Sequence, residues 1–469
     1  MSSPRNRTAI LAAAAAAAGV TGLGALKVAK DGKTAARGFD LRDPPAPGSA
    51  EFGRLLESLA GSPVRAGNRV EVLRNGDEIF LSMVAAIESA QETIDFSSYI
   101  YWTGGPTITR FGEALLERAV AGVEVSILLD AFGSAVKIDH SLVERWRAAG
   151  ARVEFFRPPH WYTLHKVNNR LHRRPLVIDG RVGFTGGVGV GEEWTGDAQD
   201  PDHWRETHVR VEGPAVRDLA GGFQENWAEA TQRILTGPHL PELAAFDDGI
   251  DVQVTRSSAT KGSTDIEELF YAAIAGARRR LWVTTAFFVP PDAFVDALCA
   301  SARRGVDVRI LINGPHIDKE VVRRAAQHSY DTLLRGGVRI FEYQRTMLHA
   351  KTLLVDGVWA SVGSNNVTNR SVELNSELEQ WNARPLRTSG PSSGRRRWCA
   401  PSSERVPAWP RWTRLQVAHR VRRRAVDAHL EVQVCAERVA RVADVADHLA
   451  LAHARALARA EARLVRVAA

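Results

Sequence analysis

Two short runs in this chain pair an imidazole with a fixed cation two residues later. The second reads His349-Ala-Lys351, then Asp356-Gly357, then Gly363-Ser364-Asn365-Asn366. Apolar and polar residues alternate through Leu348–Val355 and again through Val358–Val362. With a turn dipeptide between them, these segments predict a β-hairpin. Residues two apart on a strand share a face, so His349 and Lys351 should project together. The small polar residues after the return strand can offer hydroxyl, amide and backbone N–H groups. A titratable ring, an ammonium and hydrogen-bond donors at one hairpin end are suited to gripping a phosphate.

The first run reads His172-Arg173-Arg174, then Asp179-Gly180, then Gly186-Gly187-Val188-Gly189. Its His, Asp and first Gly recur in the second run at a constant offset of 177 residues. Upstream segments repeat as well. Met83–Ile100 resembles Phe270–Phe287, and the stretch from Gly122 to Asp130 resembles that from Gly305 to Asn313. A period this long is not that of a solenoid; it marks two duplicated domains, each carrying half of a site. In the first copy Arg174 stands where the second has Lys351. Gly187 and Gly189 stand where it has Ser364 and Asn366. Arginine keeps the charge and grips phosphate bidentately, but it is wider and planar. A glycine turn can still present backbone N–H groups to an anion.

The surrounding elements fit that duplication. Asn68–Gly76 reads as a strand and turn, Ile79–Ala90 as a helix, Thr93–Tyr101 as a strand and Arg110–Ala121 as an amphipathic helix. Val123–Asp130 is a continuous apolar run of the kind buried on both faces. The run around His203–Pro214 alternates like a strand, and Ala215–Ala230 reads as a helix with Trp227 on its apolar side. In the second half Lys319–Gly336 reads as one helix. Alternating strands and helices predict an α/β sheet sandwiched by helices. The aromatic stretch from Pro158 to His165 reads as a loop beside the first run, either contacting substrate or packing.

The second run matches the HxKxxxxD(x)6GSxN signature of the phospholipase D superfamily at every fixed position, and the first matches it in part. The first half, from Asn75-Gly76 through Tyr99-Ile100 to Asp130 and Gly133-Ser134, resembles bacterial cardiolipin synthases. So do the segment from Asp179 to Gly187, Trp194 and His203-Trp204-Arg205. The resemblance covers roughly residues 68–378. It implies two α-β-α sandwich domains packed as a pseudo-dimer around one active site. It implies His172 as the nucleophile that forms a phosphohistidine and His349 as the acid and base, although the sequence alone leaves open which imidazole attacks. Arg174 and Lys351 would hold nonbridging oxygens, with Gly187, Ser364 and Asn366 adding hydrogen bonds. Glu206 and Glu377 match the family's carboxylates that orient the imidazoles. Asp179 and Asp356 belong to the signature but sit at turns, so they are candidates for the site or for structure alone. No metal or cofactor is expected, because the fixed cations do a metal's work.

Residues 1–30 carry Arg5 and Arg7, then an Ala-rich apolar run over 9–26, then lysines, which predicts a membrane anchor or export signal. Residues 31–67 read as a linker, 68–240 as the first domain and 250–383 as the second. Residues 384–469 carry 18 Arg and no Lys, Phe, Ile, Tyr, Met or Asn. That is the composition of a GC-rich gene read out of frame, so the expectation is a frameshift near Gln380 and no closing strand; the competing reading is a basic helical tail. The whole chain has net charge +7, yet residues 1–383 hold 43 basic and 47 acidic residues, net −4. A nucleic-acid enzyme places its basic excess on the working domain, so no specific nucleic-acid partner is expected. The Gly186–Gly191 run does not fit G-x-G-x-x-G, which excludes a nicotinamide fold. No disulfide or zinc spacing is present, and Cys299 reads as a buried apolar residue.

The function expected is phosphatidyl transfer of cardiolipin synthase type, with a phosphatidylglycerol-like lipid as substrate at the cell membrane surface. The alternatives are a phospholipase D-type hydrolase, in which water replaces the acceptor, and a degenerate phosphate-binding protein. The oligomeric state is not readable.

Overall fold

The structure is a computed structural model that describes residues 39, 41–134, 137–158, 170–257, 265–368, 375–376 and 378–383, all within one compact unit. Its first half contains β1 (Val64–Arg74), β2 (Thr93–Ser98), β3 (Glu124–Asp130), β4 (Arg152–Phe156), β5 (Arg170–Leu171), β6 (Leu176–Ile178), β7 (Val182–Gly186) and β8 (Thr207–Glu212). The second contains β9 (Ile250–Arg256), β10 (Arg280–Thr284), β11 (Phe288–Val289), β12 (Asp307–Asn313), β13 (Arg339–Tyr343), β14 (Thr352–Val355), β15 (Trp359–Gly363), β16 (Val367–Thr368), β17 (Asn375–Ser376) and β18 (Leu378–Ala383). Fourteen of these strands form one sheet in the order β13-β12-β10-β14-β15-β18-β9-β1-β8-β7-β6-β2-β3-β4. Read outward from the β9–β1 seam, the two sides have the same plan, which is the duplication seen in the sequence. The inner strand of each half is antiparallel to the other, Val64 opposite Gln253 and Arg65 opposite Val252.

The parallel strands β2 and β3 are buried along nearly their whole length, as their apolar runs require. Helices Asn75–Ser89 and Pro106–Val120 cover them with Ile79, Phe80, Met83, Phe111 and Leu115. Val70, Val209 and Val211 of the first half pack with Val252, Val254 and Val362 of the second, so one apolar cluster spans the seam. Helix Val216–Thr231 buries Trp227, as its periodicity predicted. Cys299 is a buried thiol.

Several boundaries differ from the sequence reading. Asn75 and Gly76 open a helix rather than a turn; Asn75 takes a positive φ, and a Cβ on Gly76 would meet the Trp194 carbonyl oxygen at 2.2 Å. The expected helix over 319–336 is two, Glu320–Gln327 and Tyr330–Arg335. A closing strand is present: β18 fills the slot between β15 and β9 and holds register to Ala383, opposite Trp359 and Asp251. The change of character therefore falls after Ala383, and residues 384–469 lie outside the described residues. So do residues 1–30, and among the described residues no helix is long and apolar enough to cross a membrane.

The two aspartates of the repeated motif do the same structural work. Asp179 accepts from the backbone N–H groups of Gln91, Glu92 and Thr93. Asp356 accepts from those of Arg278, Arg279 and Arg280. Both have positive φ, a conformation that Asp and Asn tolerate best among non-glycine residues. Asp179 sits beside Thr93 at the start of β2, whereas His172 lies against Tyr99 just past its end. Its carboxylate ties a hairpin to the neighbouring strand, which favours the structural one of the two roles that the sequence leaves open for these aspartates. Replacing Asp356 with Ala should cost roughly 2–4 kcal/mol in denaturant unfolding, because three charge-assisted bonds and the turn preference are lost. Asp356→Asn should cost less, since it keeps the turn and one acceptor.

Candidate active site

Each motif histidine follows directly on a clamped leucine. The Asp130 carboxylate, at the buried end of β3, accepts from Leu171 N at 3.0 Å and from Phe132 N and Gly133 N at 2.9 and 3.0 Å. Asn313, at the matching end of β12, donates to Leu348 O at 2.8 Å and accepts from Leu348 N at 2.6 Å. A strand-end side chain in each half thus fixes the backbone one residue before His172 or His349. The repeat had aligned Asp130 with Asn313, but spacing alone gave neither a role.

The second clamp crosses between halves. Arg205 pairs with Leu348 in a parallel bridge, with Arg205 N donating to Met347 O and His349 N donating to Arg205 O, both at 2.8 Å. The next residue, Glu206, is fully buried and places Oε2 2.5 Å from Nδ1 of His349. The carboxylate of one half therefore orients the imidazole of the other. Backbone pairing of the same kind occurs on the opposite side, where Ser376 pairs with Leu171. Glu377 itself lies outside the described residues, as do Pro159 to His165.

Three groups surround Nδ1 of His349. Besides Glu206, Trp194 Nε1 is 3.3 Å away and Lys351 Nζ is 2.9 Å away, with Lys351 also 3.2 Å from Nε2. One nitrogen cannot serve all of them. The short bond to an anion is the strongest, so Nδ1–H donates to Glu206 and Nε2 keeps its lone pair for chemistry. Burial pushes the His349 pKa well down, and the charges of Lys351, Arg174, His172 and Lys319 push it further. The free site therefore holds His349 neutral. That His172 contributes shows the two rings in one electrostatic neighbourhood. Burial raises the Glu206 pKa, while Lys351 and Arg174 oppose the rise.

The cations are where the spacing put them. Lys351 Nζ also donates to the His349 carbonyl, and Arg174 donates to the Gly187 carbonyl; both side chains are buried. Arg173 turns away to Glu225 and to the Ser257 carbonyl, as alternation requires. Ser364 and Asn366 are buried at the end of β15, and Asn366 Oδ1 accepts from Phe287 N at 3.2 Å.

The first copy's glycines have a packing cause. A Cβ on Gly187 would lie 2.6 Å from Glu206 Oε2, and one on Gly189 would lie 3.0–3.2 Å from the Trp194 ring. The space that a serine and an asparagine would need is filled by the carboxylate and the indole that serve His349. Sequence reading missed this, as it missed the aromatic surround. Trp194 and Trp204 have ring centroids 5.2 and 5.5 Å from that of His349, and Tyr99 lies 4.7 Å from that of His172.

Two imidazoles, two fixed cations and one cross-oriented carboxylate at the junction of duplicated α/β halves define a phospholipase D superfamily phosphatidyltransferase. The chain belongs to the family described as "Cardiolipin synthase, PLD-like domain", which matches residues 83–227 and 270–383. It is 36% identical over 342 residues to a cardiolipin synthase of Geobacillus kaustophilus, covering 72% of this chain and 67% of that protein. To cardiolipin synthase A of Pseudomonas aeruginosa it is 36% identical over 327 residues, covering 69% and 66%. The crystal structure of a phosphatidylserine synthase from Haemophilus influenzae shares the fold, with a TM-score of 0.52 at 13% identity, covering 72% and 87% of the two chains.

Two expectations follow. Restoring the family serine by Gly187→Ser should lower turnover about 10–100-fold with the fold retained, because the new Cβ displaces Glu206 from His349; steady-state kinetics beside circular dichroism reads this. His208, fully buried beside Glu206, has its pKa lowered to about 3, by burial first. A histidine depressed on folding takes up protons only in the unfolded chain as pH falls below the ordinary value near 6.5. Stability should therefore drop by about 2 kcal/mol between pH 6.5 and 5 through this group. His208→Gln should flatten the acid side of the stability curve by that amount.

Proposed function

We propose that the protein transfers a phosphatidyl group between phospholipids through a phosphohistidine, with two phosphatidylglycerol-like lipids as donor and acceptor. The cross-half bond from Glu206 to His349 carries this reading, because it leaves Nε2 of a neutral, oriented imidazole facing the cations. His172 Nε2 attacks phosphorus and the bond to the departing glycerol oxygen breaks. His349, protonated in the substrate complex, gives that oxygen its proton. An anionic phosphodiester set between Lys351 and Arg174 offsets their charge, which raises the His349 pKa where the acid is needed. The acceptor hydroxyl then passes its proton to Nε2 of His349, its oxygen attacks phosphorus and the P–N bond breaks. Arg174 and Lys351 hold the nonbridging oxygens, with Ser364 and Asn366 completing the cradle and Gly187 as part of its wall. Glu377 orients His172 as Glu206 orients His349; the Ser376–Leu171 pairing supports that assignment.

The domains are 68–240 and 250–383, and the enzyme works at the membrane surface, where its lipids reside. The test is incubation of the purified chain with phosphatidylglycerol labelled in the phosphate. Cardiolipin should form, and acid-labile label should appear on the protein and vanish in His172→Ala. Phosphatidic acid alone would indicate a hydrolase. Label that persists in the variant would reject His172 as nucleophile.

A further inference from the structure

Among the described residues, Tyr99 lies against His172 from its own half. His349 is flanked by two indoles, and both come from the other half. Trp204 lies 33° from parallel to the imidazole, and Trp194 stands edge-on to it at 87°. The indoles touch each other at 4.4 Å, and Trp102 continues the row 6.0 Å beyond Trp194. The row is braced. Trp204 N donates to Glu193 O at 2.6 Å, Glu193 is paired with Lys137, and Lys137 Nζ lies 3.9 Å over the Trp102 ring. Trp194 is fully buried, while Trp204 is half-buried and keeps part of its ring uncovered. Gly189 makes the room for Trp194 by lacking a side chain. At this position the first copy thus has an apolar wall against the partner half's imidazole where the second copy has an asparagine.

This arrangement bears on which acceptor reacts. Resting on the assignment of His349 as the base for the incoming hydroxyl, we propose that Trp204, backed by Trp194, is a specificity-determining residue that favours a lipid alcohol over water. A water poised for attack needs two or more hydrogen-bond partners to be held in place. An indole face supplies none, so a water on the Trp204 side of the His349 ring lacks partners there. The carbon skeleton of a glycerol loses nothing against that face and gains apolar contact. The wall therefore acts on the partition of the phosphohistidine between transfer and hydrolysis, rather than on its formation.

The experiment measures that partition in the full chain with labelled phosphatidylglycerol in mixed micelles, as the ratio of cardiolipin to phosphatidic acid. Trp204→Ala should lower the ratio roughly tenfold or more, the scale of one apolar contact in a pocket, while total lipid turnover changes less than the ratio. Trp204→Phe should stay near the parent and Trp204→Leu should fall between, which keeps the order readable if the alanine variant fails to fold. An active parent whose ratio is unmoved in these variants overturns the proposal and leaves the transferase reading intact. The same holds if both products fall in step, which marks Trp204 as structural. A parent that forms neither product overturns the transferase reading, and this inference with it.

Discussion

One hydrogen bond between the halves governs the site: the carboxylate of Glu206 on Nδ1 of His349. It fixes the tautomer, aims Nε2 and places an anion among buried cations that would otherwise repel each other. Such a bond forms only if residues 143 apart in sequence arrive together. The fold secures this by joining β1 to β9 and by bridging Arg205 to Leu348. The second half takes the carboxylate for His349 from the first, so the duplicated units are bound by that bond as well as by the valine cluster at their seam.

That dependence explains why the two motif copies have diverged. Once Glu206 and Trp194 serve His349, the volumes beside Gly187 and Gly189 are occupied, and residues with a Cβ no longer fit there without displacing them. A Ser or Asn in the first copy would therefore meet the carboxylate and the indole that serve the partner imidazole. Arg174 follows the same logic. It remains a cation within the influence of Glu206 and His349, anchored on the Gly187 carbonyl.

Positive charge is set deep here, with Lys351 and Arg174 both buried. Burial depresses His349 first, and the charges of Lys351 and Arg174 add to it. A site so charged suits the entry of an anionic phosphodiester. The clamps by Asp130 and Asn313 keep the backbone still while this occurs, since each holds the residue before a histidine by its own main-chain polar groups.

The sequence by itself determined the duplication, the α/β class, the two histidines, the cations at i+2 and the candidate carboxylate Glu206, because spacing along a strand and a repeated offset are local properties. It also exposed the odd composition past residue 384. It left open whether Asp179 and Asp356 serve the site or the turns, since a motif letter is the same whether its carboxylate meets a phosphate or three backbone amides. It gave no closing strand, because β18 is short and earns its place by filling a gap between β15 and β9. Only the tertiary structure decided that Glu206 serves the other half's imidazole, that Trp194 and Trp204 wall His349, and why glycines replace the polar pair. Each is a contact between segments far apart in the chain, set by how two sheets join, and nothing in the neighbouring residues records that junction.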